Sequence, residues 1–126
     1  MATLVVVGAQ WGDEGKGKIV DLLAGEADAV ARFQGGPNAG HTLVVGDERT
    51  VLHHVPSGVL NPRAMNVIGP GMIVDPITCI EEIEGLRTRG VEDLSRRLVI
   101  DRGCHLILPV HRQLDAAREA ATDGRI

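Results

Sequence analysis

Lysine is almost missing from this sequence. Lys16 and Lys18 are the only two in 126 residues, and every other basic side chain is arginine. Aromatic residues are as scarce: Trp11, Phe33 and no tyrosine. A groove for single-stranded nucleic acid stacks bases on aromatic platforms, so this class of partner is argued against. An excess of one charge is also lacking. Thirteen basic against 17 acidic residues leave a net charge of −4, which gives no global attraction for nucleic acid or an anionic membrane. The two cysteines, Cys79 and Cys104, lie far apart with no C-x-x-C spacing. That speaks against a disulfide framework or a cysteine zinc site, and for reduced thiols in a cytoplasmic protein. No apolar run approaches the roughly 18 residues of a membrane helix. The N-terminus "MATLVVVGAQ" lacks the basic segment that opens a signal peptide.

What is present is ordinary globular material, 44% hydrophobic and 24% charged. A chain of this length suits one domain that buries roughly two thirds of its unfolded surface. No linker, internal repeat or low-complexity stretch divides it, so residues 1–126 read as a single α/β nucleotide-binding domain. Leu4-Val5-Val6-Val7 reads as a buried first strand over 4–8. A glycine loop follows, and "KGKIVDLLAGEA" starts a helix with Ile19, Leu22 and Leu23 at helical spacing and Gly25 as its stop. "DAVARF", 28–33, reads as a second strand. Residues 42–55 read as a hairpin around the turn "GDER". "NVIG", 66–69, is a further buried strand. Asp75 and Pro76 are the N-cap and first residue of a helix that buries Ile77, Ile80 and Ile83 and ends at Gly90. "RLVID", 97–101, is a strand, and Pro109 opens a last helix. Alternating strands and helices predict a largely parallel sheet with flanking helices, a small hairpin and a phosphate-loop-like first βα unit.

The densest chemistry lies in "GAQWGDEGKGK", residues 8–18, where both lysines and two acids crowd among glycines. A helix start offers unpaired N–H groups and partial positive charge, glycine lets the backbone approach a phosphate, and lysine adds a mobile cation. Against the phosphate-loop pattern G-x-x-x-x-G-K-[ST], Gln10 stands where the first glycine belongs and Gly17 where the hydroxyl residue belongs. The missing hydroxyl is the usual Mg²⁺ ligand. Asp13 is the candidate to replace it, or to take a proton from a second substrate. The plain alternative is a solvated turn of alternating charges, and Glu14 taken alone reads as a solvated loop acid.

"FQGGPNAGHT", 33–42, is the second dense stretch and follows a predicted strand, as functional loops of open α/β sheets do. Asn38 offers a donor and an acceptor, and His41 an acid or base near neutral pH. Its plain alternative is a tight turn with a surface histidine. His53 and His54 fall in a predicted strand, point to opposite faces, and read as packing or surface residues, as do His105 and His111. Asp101 ends an apolar strand, the form that holds Mg²⁺ in phosphate-loop NTPases; an acid there is also ordinary punctuation.

"QWGDEGKGKIVDLL" with "FQGGPNAGHT", joined by "LHHVPSGVL" and "HLILPVHRQLDAAREAA", resembles the adenylosuccinate synthetases. The resemblance covers nearly the whole chain and implies the N-terminal part of a longer enzyme. It implies a GTP-dependent ligase, with Mg²⁺, that joins IMP to L-aspartate and acts as a cytoplasmic homodimer. It makes Asp13, His41 and Lys16 catalytic: Asp13 as the base for N1 of IMP and His41 as the general acid. GTP would be held by Gly12, Asp13, Glu14, Gly15, Lys16, Gly17, Lys18, Gly40, His41 and Thr42. IMP would meet Asp13, Glu14, Gly15, Lys16, Asn38, Ala39, Gly40 and His41. The metal would take Asp13 and the carbonyl of Gly40. Guanine and aspartate recognition would lie beyond residue 126, so these residues alone are expected to be inactive. The rival readings are a phosphate-loop NTPase or kinase with Asp101 on the metal, and a non-catalytic phosphate-binding fragment.

Overall fold

The computed structural model describes residues 2–9, 15–38, 40–45 and 47–122. The core is a parallel sheet of β1 (Ala29–Gly35), β4 (Met65–Val74) and β5 (Leu98–Ile100), in the order β1–β4–β5. A two-residue strand, β6 (His105–Leu106), takes the far half of β4, pairing Ile73 with His105. The hairpin of β2 (His41–Val45) and β3 (Glu48–Leu52) forms a separate antiparallel layer. The helices are α1 (Lys16–Ala24), α2 (Pro76–Thr88), the short α3 (Leu94–Arg97) and α4 (Pro109–Ala121), with a 3₁₀ turn at Ser57–Leu60. The mixed α/β class, the parallel sheet and the small hairpin are as expected.

Local chemistry explains most boundaries. The Asp75 carboxylate accepts from the N–H groups of Ile77 (3.0 Å) and Thr78 (3.3 Å), and Pro76 needs no donor at the first helical position. β4 runs to Val74, five residues beyond the expected end at Gly69, straight through Gly69-Pro70-Gly71. The register against β1 shifts between Arg32 and Gln34, and a Cβ on Gly71 would lie 2.6 Å from the Phe33 carbonyl oxygen. The glycine permits this close approach at the bulge, so a sequence that reads as a turn is a strand interior.

Two expectations fail. Residues 2–9 form no strand, and Leu4, Val5 and Val7 are 68%, 64% and 72% exposed. An apolar run becomes a buried strand only where it pairs with a sheet edge under a covering face; among the described residues the outer edges of β1 and β5 take no partner strand, and this run joins neither. The first βα unit is therefore seen only in its helical half. In α2, Ile77 and Ile80 are 58% and 59% exposed, while Cys79, Glu82 and Leu86 are buried and Ile83 is half-buried. The inward face is turned by the demand for Glu82 described below.

One core cluster gathers Leu43, Leu52, Val55, Val59, Leu86 and Leu94 beneath the hairpin; a second gathers Ile68, Met72, Val74 and Cys79 against the sheet. Ile83 and Leu98 pack against both. Each fully buried aliphatic side chain here contributes about 1.5–3 kcal/mol. Both cysteines are free thiols, and burial, with Glu82 and Cys104 nearby, pushes the Cys79 thiol up to about 11. Among the described residues, no helix is long and apolar enough to cross a membrane.

Candidate functional site

Helix α1 begins at Gly15, whose φ of 75° places it in the left-handed region, and no side chain caps the start. The first-turn N–H groups, which have no acceptor within a helix, therefore belong to the segment bearing Lys16, Gly17 and Lys18. The far end of α1 is tied down by Asn61, whose side-chain amide donates to the carbonyls of Ala24 (3.0 Å), Gly25 (3.3 Å) and Ala27 (3.3 Å). The helix is thus held at its C-terminal end by Asn61, and its N-cap residue Gly15 supplies no side-chain cap.

His41 opens β2 and lies directly against the first turn of α1. A Cβ on Gly17 would sit 3.1 Å from the His41 Cβ, so the missing phosphate-loop hydroxyl is explained by space: the histidine occupies its place. The His41 Nε2 is buried and has no hydrogen-bond partner. Burial lowers the pKa of the ring, the Arg32 guanidinium lowers it further, and Asp21 and Glu82 partly oppose them. Asp21 lies one turn along α1 from Gly17, and its Oδ1 is also buried without a partner. Two buried polar atoms without partners among the described residues are what a ligand-binding wall leaves open. A groove of about 810 Å³ runs between α1 and the hairpin, lined in part by Lys18, Asp21, Thr42, Arg49, Ser57 and Asn61.

Gly40 precedes His41 in a tight place. A Cβ there would lie 2.7 Å from Val51 Cγ1 and 2.9 Å from His53 Cε1. The loop is also held from beneath. The His53 Nδ1 lies 2.7 Å from the Pro37 carbonyl oxygen, which only accepts, so the ring nitrogen donates. Arg32 donates to the Gly36 carbonyl (3.2 Å) and to the carbonyl of His53 itself.

His53 and His54 are not in a strand, as the sequence reading had them. They follow β3 in a bend. His54 is completely buried, with Nδ1 3.2 Å from Glu82 Oε1 and Nε2 accepting from the Asp75 N–H at 3.0 Å. An acceptor Nε2 assigns the ring proton to Nδ1, which donates to the carboxylate. Glu82 also accepts from the backbone N–H groups of His53 (2.8 Å), His54 (3.1 Å) and Val55 (3.1 Å). Burial alone would raise the Glu82 pKa; these hydrogen bonds, His54 first, outweigh it and lower it. A carboxylate with that many inward donors has to face the core, which is why α2 turns Ile77 and Ile80 outward. In the sequence, Ile77, Ile80 and Ile83 mark the buried face, and nothing signals Glu82.

Of the other candidates, Lys16, Lys18, Asn38 and Thr42 are exposed, and Gly15, Gly17, Gly40 and His41 lie together as described. Gly12, Asp13, Glu14 and Ala39 lie outside the described residues. Asp101 is exposed and its Oδ1 accepts from the Gly103 N–H at 2.7 Å, so the carboxylate closes a turn.

Residues 5–126 match the family model for adenylosuccinate synthetase. The chain belongs to the adenylosuccinate synthetase family. It is 56% identical to the adenylosuccinate synthetase of Syntrophus aciditrophicus strain SB, across 98% of this chain and 29% of that protein. Against the synthetase of Anaeromyxobacter sp. strain K the identity is 55%, across all of this chain and 29% of the relative. The chain therefore spans less than a third of the curated relatives it matches. The fully ligated adenylosuccinate synthetase from Plasmodium falciparum superposes with a TM-score of 0.79 at 42% identity, over 91% of this chain and 26% of that one. Cyanophage S-2L succinoaminodeoxyadenylate synthetase (PurZ), bound to dGMP and to dATP as an energy donor, superposes with a TM-score of 0.68 at 31% identity, over 86% and 30%.

Proposed function

We propose that the synthetase containing this chain joins IMP to L-aspartate using GTP, forming adenylosuccinate, GDP and phosphate. The observation that carries the reading is the buried Nε2 of His41, without a hydrogen-bond partner among the described residues, placed against the first turn of α1 in a chain of this family. The chain contributes one α/β nucleotide-binding domain, and the complete protein acts as a cytoplasmic homodimer.

The residue types suit the two steps. O6 of IMP is a weak nucleophile until N1 loses its proton. Asp13 is the carboxylate that takes that proton. O6 then forms a bond to the γ-phosphorus as the bond to the β–γ bridging oxygen breaks, and GDP leaves. The amine of aspartate next attacks C6, the C6–O6 bond breaks, and phosphate departs with O6. Charge gathers on the phosphoryl oxygens and the leaving diphosphate. Lys16, the first-turn amides of α1 and His41 Nε2 are the groups suited to receive it. The N-terminal loop, Gly12 to Lys18, cradles GTP with Gly40, His41 and Thr42, and Asn38, Ala39 and Gly40 face IMP with Asp13, Glu14, Gly15, Lys16 and His41.

A magnesium ion fits this arrangement in a particular way. Among the described residues, no three acidic, histidine or cysteine side chains gather to hold a cation. Mg²⁺ commonly takes one or two protein oxygens and completes its shell with substrate phosphates and water. Asp13 and the Gly40 carbonyl would hold it, and it would neutralise charge on the bridging phosphate oxygens.

The test uses the full-length synthetase. Wild type should form adenylosuccinate only with GTP, IMP and aspartate together, Asp13→Ala should nearly abolish it, and Asp101→Ala should leave it intact. An inactive Asp101 variant with an active Asp13 variant would return the reading to an ordinary phosphate-loop NTPase. The 126 residues alone should turn nothing over.

A further inference from the structure

We propose that His53 is a positioning residue for the loop from Gly36 to His41: its imidazole is the template on which the loop is folded, and its loss disturbs the placement of Gly40 and His41. This rests on the ligase reading above for what the loop does.

The geometry is continuous from the core outward. Glu82, buried on α2, accepts the N–H groups of His53, His54 and Val55 and so fixes the backbone that carries the imidazole. His54, wholly buried, links the same carboxylate to the N–H of Asp75, the cap of α2. The half-buried His53 ring then reaches the loop at two points. Nδ1 donates to the Pro37 carbonyl at 2.7 Å, and Cε1 lies where no side chain on Gly40 would fit, 2.9 Å from a Cβ built there. Arg32 adds a third hold, spanning the His53 and Gly36 carbonyls. The Pro37 carbonyl and the Cα of residue 40 are thus set relative to the ring, and the Gly36 carbonyl relative to the His53 backbone through Arg32. His41, next in sequence, acquires its position over Gly17 from that setting. The hydrogen bond and the close approach of the ring are both to the loop, so His53 is assigned to act through the loop and not on substrate.

Two substitutions separate the hydrogen bond from the ring. His53→Phe keeps the ring and loses the donor. His53→Asn loses most of the ring but keeps an N–H donor one bond beyond Cγ, in the place of Nδ1. In the full-length synthetase, His53→Phe should lower kcat about tenfold or more, with a smaller change in KM for IMP and GTP and with the thermal unfolding transition retained. His53→Asn should recover kcat to within about threefold of wild type. A role in stability alone would instead lower activity in step with the folded fraction in both variants. Wild-type kcat in folded His53→Phe, or His53→Asn no better than His53→Phe, overturns the proposal. If His53→Phe does not fold, His53→Leu supplies the donor-less comparison under the same criteria. Wild-type enzyme that makes no adenylosuccinate would sink the ligase reading instead, so the two failures are distinguishable.

Discussion

Replacing Gly17 by alanine should separate stability from activity. Gly17 lies in the first turn of α1, where alanine favours the helix by up to about 1 kcal/mol over glycine. The same Cβ would sit 3.1 Å from the His41 Cβ. Carbon atoms rest comfortably at about 3.5–4.0 Å, so the shortfall is roughly half an ångström, to be taken up by the histidine or by the helix start. A displacement of 1 Å in a reacting constellation costs about a hundredfold in rate, so half of that implies roughly tenfold. Gly17→Ala should therefore melt at or slightly above the wild-type temperature while kcat of the full-length synthetase falls roughly tenfold. Gly17→Ser should do no better, although it restores the hydroxyl of the ordinary phosphate loop. Steady-state kinetics and thermal unfolding on the same preparations decide it. Wild-type kcat in both variants would refute the contact as the reason for the glycine.

Two further outcomes concern the support beneath the site. Glu82→Leu leaves three backbone donors and the His54 ring N–H without their acceptor, and urea denaturation of the chain should show a loss of about 3–5 kcal/mol; a loss under about 1 kcal/mol would mean the donors find other partners. The Glu82 pKa is lowered on folding from an ordinary 4.5, so its contribution is complete above that pH and is lost as pH falls through the folded value: the stability gap between wild type and Glu82→Gln should narrow on acidification, and a gap that widens would contradict the sign. Asp75→Ala removes the cap of α2 and the partner of Arg112, for which about 1–2 kcal/mol is expected by the same denaturation; no change would show that neither interaction matters.

What could be seen in the sequence was whatever depends on neighbours along the chain. Asp75-Pro76 announces a helix start because cap and proline act within one turn, and the hairpin turn and Pro109 are of the same kind. What was missed depends on partners far away in sequence. The inward face of α2 is set by Glu82, whose donors lie 27 to 29 residues earlier. β4 passes through Gly-Pro-Gly by bulging against β1, with Gly69 and Pro70 opposite the single residue Phe33. Residues 4–8 have the composition of a strand but pair with no strand among the described residues. In the site, Gly17, Gly40 and His41 stood out by residue type, whereas the contact between Gly17, in the first turn of α1, and His41, at the start of β2, is one that spacing does not reveal. His53 and His54 were misread because strand alternation was extended past Leu52, where β3 ends.

The central chemical claim is that O6 of IMP takes up the γ-phosphoryl group of GTP and leaves C6 as part of the released phosphate. Turning over IMP labelled with ¹⁸O at the 6-position, with full-length synthetase, GTP and aspartate, tests it directly. Mass spectrometry of the released phosphate should find one ¹⁸O in each molecule formed. Unlabelled phosphate, with the isotope lost to water, would contradict the account.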